Sequence, residues 1–378
     1  MINGPPIYCK TLSAGTLTVT PTTGSQSLDS LFDIAERRNP KRAFLFVSKV
    51  LGRHIPIAPS VMRSTYRQLA QQLPPDLPQP VLFIGMAETA VGLGAGVFDE
   101  ALSLFNNAVY LTSTRYAIAG ELLCEFKENH SHATDHLLYR PADPLLRARV
   151  QNARSLVLID DEATTGNTFI NLLTALRTEA GLSQVEQVVT VTLTDWSGNA
   201  IKKQCPLPVT TVSLVQGDWH WQPRADAAVA IMPDVNVTAI GSVAIVGKQS
   251  WGRLGMASAA RDLGKAISAS ASEKILVLGS AEFVWEPLLL AERLEQLGAE
   301  VKFSCTTRSP IATGYAIESV IAFSDNYGLG IANYIYNVAH QQFDRILLCV
   351  ETPAQSVDPA LLVALQKVAT EVEVVVYE

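Results

Sequence analysis

The stretch VLIDDEATTGNT, Val157 to Thr168, ends an apolar run in two adjacent carboxylates and continues into a hydroxyl-rich turn with one glycine. Like charges repel, and burying a carboxylate is costly unless something pairs with it. Asp160 and Asp161 at the end of a buried strand therefore call for a partner from outside the chain. A helix pattern follows the turn, and the N–H groups of its first residues make an anion site. Thr164, Thr165 and Thr168 add hydroxyl donors around Asn167, and Gly166 lets the backbone wrap close to a phosphate. The two carboxylates just ahead suit vicinal hydroxyls, met directly or through Mg²⁺. A diol-binding pair followed by an anion-binding turn describes a ribose 5-phosphate lying along this segment.

On either side of this stretch, apolar strands alternate with helices. PVLFIG (Pro80–Gly85) reads as a buried strand, MAETAVGLGAGVFDEAL as a turn into a helix, and AVYLTSTR (Ala108–Arg115) as the next strand. EFKENHSHATDHLLYRP reads as an exposed loop or ribbon. SLVLID and QVVTVTLTDW are strands on either side of a helix closed by Gly181. The first 40 residues read as polar, ending in a short helical pattern around Leu28–Arg37. The pattern predicts an α/β fold whose mostly parallel sheet carries helices on both faces, with ligands beyond the carboxyl ends of its strands. AISASASEK (Ala266–Lys274) is a low-complexity joint before a second α/β layer: KILVLGS, a helix ending at Gly298, AEVKFSC, SVIAFSDNYG, a helix through Tyr334, RILLCVETP, another helix and EVEVVVYE. The expected division is residues 1–245 and a smaller α/β domain over 246–378.

The totals agree with a globular chain. Of 378 residues, 48% are apolar and 17% charged, enough for two domains and a large core. A net charge of −7 argues against nucleic-acid binding by bulk electrostatics but leaves room for a small anion in a local nest of donors. Five cysteines, Cys9, Cys124, Cys205, Cys305 and Cys349, form no CxxC pair, so neither a disulfide framework nor a zinc ribbon is expected. MINGPPIYCK lacks the pattern of a signal peptide, and no apolar run reaches the length of a membrane span. The expected compartment is the cytoplasm.

Val157–Thr168 resembles the phosphoribosyl-pyrophosphate (PRPP) signature of type I phosphoribosyltransferases: apolar strand, two acids, two variable residues, then Thr-Thr-Gly-x-Thr. The resemblance implies that Asp160 and Asp161 hold the ribose hydroxyls, with Mg²⁺ reached through ribose or water, and that Thr164, Thr165, Gly166, Asn167 and Thr168 cradle the 5-phosphate. Glu162 and Thr164 depart from the purine-salvage pattern, so a standard purine acceptor is not implied. More widely, VSKVLGRHIP, GMAETAVGLG, EFKENHSHATDH, VLIDDEATTGNT, LTDW and TTRSP (Thr306–Pro310) resemble a narrower group encoded near tellurite-resistance and stress genes, with a C-terminal domain named for Thr-Arg-Ser-Pro. That resemblance implies a cytoplasmic stress-response enzyme making a nucleoside-like metabolite.

On this frame Ala87, Glu88, Thr89 and Ala90 take the place of the pyrophosphate loop, although Glu88 would repel pyrophosphate without Mg²⁺ between them. Arg115 ends the next strand as a candidate phosphate clamp, with a plain surface arginine as the alternative. His130, His132 and His136 lie in a polar loop that suits a lid over PRPP, with a metal site or a solvated loop as the alternatives; no strong zinc spacing is present. Lys49, Arg53, His54, Asp195 and Trp196 are candidates for the acceptor side, with a basic surface patch and a core tryptophan as the alternatives. In the second domain, Glu282, Thr306, Thr307, Arg308, Ser309, Asp325 and Asn326 end neighbouring strands and suit an anion pocket, or else ordinary turns. The expected partners are PRPP and a small-molecule acceptor. Neither membrane nor nucleic acid is expected, and a homodimer remains open. Two rivals stay in play: a PRPP-sensing regulator without turnover, and a C-terminal unit that is itself the catalyst.

Overall fold

The computed structural model describes residues 6–24, 27–38, 42–127, 136–225, 230–233, 244–245, 252–258 and 266–378. In chain order the first part contains β1 (Tyr8–Thr11), β2 (Gly15–Gly24), α1 (Leu28–Leu31), β3 (Phe32–Glu36), β4 (Phe44–Ser48), α2 (Pro59–Ala70), β5 (Val81–Gly85), α3 (Val91–Ala101), β6 (Ala108–Thr112), β7 (Leu122–Phe126), β8 (His136–Tyr139), α4 (Pro144–Gln151), β9 (Ser155–Ile159), β10 (Glu162–Ala163), α5 (Asn167–Thr178), β11 (Gln187–Asp195), α6 (Ala200–Gln204) and β12 (Val209–Pro223). The second contains β13 (Lys274–Gly279), α7 (Trp285–Gln296), β14 (Glu300–Cys305), β15 (Val320–Ser324), β16 (Ala332–Tyr336), β17 (Phe343–Val350), α8 (Pro359–Leu365) and β18 (Ala369–Val376).

The main sheet has the order β1-β2-β12-β11-β9-β5-β6, with β10 beside β11. From β12 to β6 all pairings are parallel. Strands buried on both faces read as unbroken apolar runs, which is why β5, β6 and β9 are legible in the sequence. The chain order reverses between β5 and β9, so the crevice at their carboxyl ends is the topological switch point. The smaller sheet, β14-β13-β17-β18, is parallel throughout and reverses between β13 and β17.

Three expectations are corrected. The opening residues are not merely polar: β2 alternates Leu17 and Val19 into the core against half-buried and exposed threonines, and it joins the main sheet antiparallel to β12, with β1 on its outer edge. The helical pattern expected around Leu28–Arg37 stops at Leu31, and Phe32–Glu36 pairs with β4 instead. No helix runs through Tyr334; Ala332–Tyr336 is a strand antiparallel to β15. In each case a long-range strand pairing overrides a weak local pattern.

The two sheets do not rest on separate cores. One apolar cluster runs from Phe83, Phe98 and Tyr110 through α2 and α3 to Val277, Trp285, Leu288 and Phe303. Arg63 fastens this seam, with Nη1 2.6 Å from Asp99 and Nε 2.6 Å from Glu292, its guanidinium lying over the Trp285 ring. The pair β3–β4 packs against β15–β16 through Ala35, Val47, Tyr334 and Tyr336. Residues 252–256 run beside β6, where Tyr110 N–H donates to Met256 and Thr112 N–H to Gly252. Residues 252–256, beyond the expected boundary at 246, thus lie at the edge of the first sheet. No helix among the described residues is long and apolar enough to cross a membrane.

Candidate functional site

Strand β9 delivers Asp160 and Asp161 to the switch point, both partly exposed. The Asp161 N–H donates to the Asp160 carboxylate (2.9 Å), and the Asp160 N–H donates to Val191 of the neighbouring strand (3.0 Å). Glu162, the departure noted in the sequence, pairs with Arg42 at 2.7 Å, and that guanidinium lies over the Phe44 and Phe46 rings. The extra acid therefore ties the loop to the β3–β4 pair. Gly166 caps α5 in the left-handed region (φ +76°), where an added Cβ would lie 2.2 Å from Ile201 Cγ1. Thr164, Asn167 and Thr168 are half-buried and Thr165 exposed, so the hydroxyls and the first turn of α5 line one open bend.

Across the crevice, β5 ends at Gly85, and the Met86 N–H donates to Ile159 at 3.0 Å. The loop Ala87–Ala90 leads into α3, and the Ala87–Glu88 peptide bond is cis. The structure thus brings the two loops predicted for ribose phosphate and pyrophosphate to opposite lips of one crevice. The end of β6 joins them. The Ser113 hydroxyl accepts from the Ala87 N–H (2.9 Å) and contacts His136 Nδ1 (3.1 Å). Arg115 Nη2 lies 3.1 Å from His136 Nε2. Arginine can only donate, so Nε2 accepts and the proton sits on Nδ1. His136 is fully buried and stacks on Phe126, 4.6 Å between centroids. It is the foot of the ribbon β7–β8. His130 and His132 lie outside the described residues.

Glu88, puzzling in an anion loop, holds two arginines. Arg53 Nη2 meets one oxygen at 2.5 Å, and Arg308 Nε meets the other. Arg53 is 3% exposed, and its Nη1 donates to the Ala281 carbonyl at 2.9 Å. Nothing in LGRHIP signals this burial except a charged pair inside an apolar run. Glu282 leaves the second sheet to meet the first: its carboxylate accepts from the Thr114 hydroxyl (2.5 Å) and from the Arg115 N–H (2.8 Å). Burial pushes the Glu282 carboxyl up, and Arg253, Thr114 and the Arg115 N–H offset this only in part. Arg253 makes a two-pronged pair with Glu351, both contacts 2.8 Å, in the crevice between β13 and β17. Tyr327 donates to Glu351 (2.8 Å) and stacks on Tyr116 of the first part at 4.3 Å. Sequence reading misses Arg253, Glu351 and the two tyrosines because their partners are far away in the chain.

The remaining second-domain candidates chiefly hold the backbone and side chains of the turns around them. Thr306 accepts from the Ala281 N–H, Thr307 from the Ser309 N–H, and Asp325 from the N–H groups of Tyr327, Leu329 and Ile331. Asn326 bridges Ser280 and Thr352. These contacts are those of turn formers. On the acceptor side, Trp196 is 6% exposed and stacks on Phe46 (5.3 Å), which is the geometry of a core ring. Asp195 accepts from the Ser197 N–H and hydroxyl, and Lys49 donates to the Asp29 carbonyl. Beyond Trp196 and Phe32 opens a cleft of about 440 Å³ lined by Tyr8, Lys10, Asp29, Asp33 and Val215. Burial pushes the Asp33 carboxyl up, but the Ile34 N–H and Lys10 outweigh it, leaving the carboxyl below its usual range. Burial and Asp33 keep the Tyr8 phenol protonated.

No three His, Cys, Asp or Glu side chains gather as a metal set among the described residues. Two carboxylates at the lip of the β5/β9 crevice suit Mg²⁺, which takes few protein ligands and completes its shell with water and substrate oxygens.

The sequence matches the phosphoribosyl transferase family model over residues 31–218 and the TRSP domain, which stands C-terminal to it, over residues 247–365. The chain belongs to this family of phosphoribosyl transferases with a C-terminal TRSP domain. No curated protein matches the sequence. Among solved structures, adenine phosphoribosyltransferase from Rhodothermus marinus is similar at 19% identity and TM-score 0.32, over 50% of this chain and 94% of that one. The Leishmania donovani adenine enzyme gives 16% and 0.35, over 50% and 80%. Orotate phosphoribosyltransferase from Aeropyrum pernix gives 15% and 0.29, over 50% and 89%. Family membership rests on the sequence matches alone.

Proposed function

We propose that the chain transfers ribose 5-phosphate from PRPP to a nitrogen acceptor. The observation that carries this is the pairing of Asp160–Thr168 with Ala87–Ala90 across the β5/β9 switch point. Asp160 and Asp161 hold the ribose hydroxyls, the bend Thr164–Thr168 holds the 5-phosphate, and the pyrophosphate lies over Ala87–Ala90 towards Arg115. The C1′–O bond breaks with its electron pair leaving on pyrophosphate. The acceptor nitrogen closes the new bond to C1′ and releases its proton. Such an oxocarbenium-like passage needs positioning and charge more than covalent help. Asp160 and Asp161 would hold Mg²⁺ through water or the ribose, and the bound ion supplies positive charge to the leaving oxygens. The acceptor approaches from the β3–β4 side, where the cleft at Asp33 and Tyr8 lies one aromatic layer from the Trp196–Ala163 contact. The product is a nucleoside-like phosphate, made in the cytoplasm in a tellurite or stress response; this setting follows from the resemblance of the whole chain.

PRPP consumption with Mg²⁺ across a panel of bases and amines tests this reading. Pyrophosphate release from at least one acceptor is expected, and it should fall by a factor of about 100 or more in Asp160→Asn/Asp161→Asn. Tight PRPP binding with no turnover of any acceptor would favour a sensor instead. A mass comparison of cells with and without the protein would then look for the ribosylated product.

A further inference from the structure

We propose that Arg308, carried by the TRSP domain, is a pyrophosphate ligand of the transferase crevice, and that Glu88 is the holder that keeps it there. This inference rests on the PRPP reading above. A carboxylate in a loop meant for pyrophosphate is repulsive unless its charge is cancelled. Here it is cancelled twice, from the inside by Arg53 and from the second sheet by Arg308. The two arginines are not equivalent. Arg53 is buried and also fixed to the Ala281 carbonyl and the Cys305 sulfur. The Arg308 side chain is 19% exposed, more than that of Glu88 at 11%. An anion arriving at Ala87–Ala90 can therefore draw on Arg308 and not on Arg53. A guanidinium offers a planar fork that matches phosphate oxygens, so the exchange from carboxylate to pyrophosphate preserves its geometry.

A second observation points the same way. The other cation at this end of the crevice, Arg115, has its backbone N–H fixed by Glu282, which belongs to the second sheet. The hydroxyl of its neighbour Thr114 is held by the same carboxylate. The TRSP domain thus supplies one of these charges and fixes the backbone that carries the other, whose guanidinium lies against His136, while the ribose 5-phosphate bend belongs wholly to the first sheet. The domain completes the pyrophosphate half of the site in the same chain.

Calorimetry on the full chain separates the two halves, using Mg–pyrophosphate for one and ribose 5-phosphate for the other. Arg308→Ala is expected to weaken Mg–pyrophosphate by about tenfold or more and to leave ribose 5-phosphate within about twofold. Arg308→Lys, which keeps the charge but not the fork, should fall in between and is the variant to use if the alanine form does not fold. Glu88→Gln removes the charge that positions Arg308 and should weaken Mg–pyrophosphate relative to ribose 5-phosphate; an unchanged ratio would overturn the holder role. If Arg308→Ala and Arg308→Lys merely lower the unfolding temperature and leave the ratio of the two affinities unchanged, Arg308 is a structural clamp and the inference is overturned. If the parent chain binds ribose 5-phosphate and pyrophosphate not at all, the PRPP reading itself fails.

Discussion

Gly166 shows how much a single residue decides. Its left-handed φ of +76° turns the chain from the carboxylate pair into α5, and its missing Cβ leaves room for Ile201. Alanine there adds the left-handed penalty of about 1–2 kcal/mol and an overpacking cost of about 1–3 kcal/mol. Gly166→Ala should lower the unfolding temperature and weaken ribose 5-phosphate more than it weakens Mg–pyrophosphate, by thermal unfolding and calorimetry. Unchanged ribose 5-phosphate affinity would show that the bend does not grip the phosphate. This residue was legible in the sequence because a glycine between hydroxyls after a strand has few other uses. Arg253 and Glu351 were not, since a buried ion pair leaves no local mark when its partner is remote in the chain.

At the scale of elements, α2 and α3 cross closely because Gly96 faces the Tyr66 ring. An added Cβ would lie 2.0 Å from Tyr66 Cδ2, and that ring is fully buried with nowhere to move. Alanine is the better helix former by about 0.8–1.0 kcal/mol. The clash should still win, at about 1–3 kcal/mol. Gly96→Ala is therefore expected to destabilise the chain in urea unfolding, and a more stable variant would show that the two helices are spaced more loosely. Elements with both faces buried announced themselves as apolar runs. Those whose identity depends on a distant partner did not. GTLTVTPTT carries a clear two-residue alternation that polar composition obscured. FDIAE continues a helical beginning and becomes a strand only because β4 lies beside it.

The molecule as a whole joins its two sheets at buried, charged and aromatic contacts, and one of these reports on pH. His54 is buried edge-on to Tyr336, while its carbonyl accepts from Asn337 of the second part. Burial, with Arg53 adding to it, pushes the imidazole down to about 3 from 6.5. Below pH 6.5 the unfolded chain takes up this proton and the folded chain does not. Stability is complete above that value and falls as the pH drops towards 3, by about 1.4 kcal/mol per pH unit from this group. Urea unfolding at several pH values should show this slope in the parent and a shallower one in His54→Phe. Equal slopes would mean that the ring takes its proton while folded.

Among the described residues, one core passes unbroken from Phe83 to Phe303 and joins the two halves. A reactant cannot reach the crevice by the halves swinging apart, since that would wet this whole apolar layer and strip its ion pairs. The two sheets therefore stand as one common wall behind the crevice.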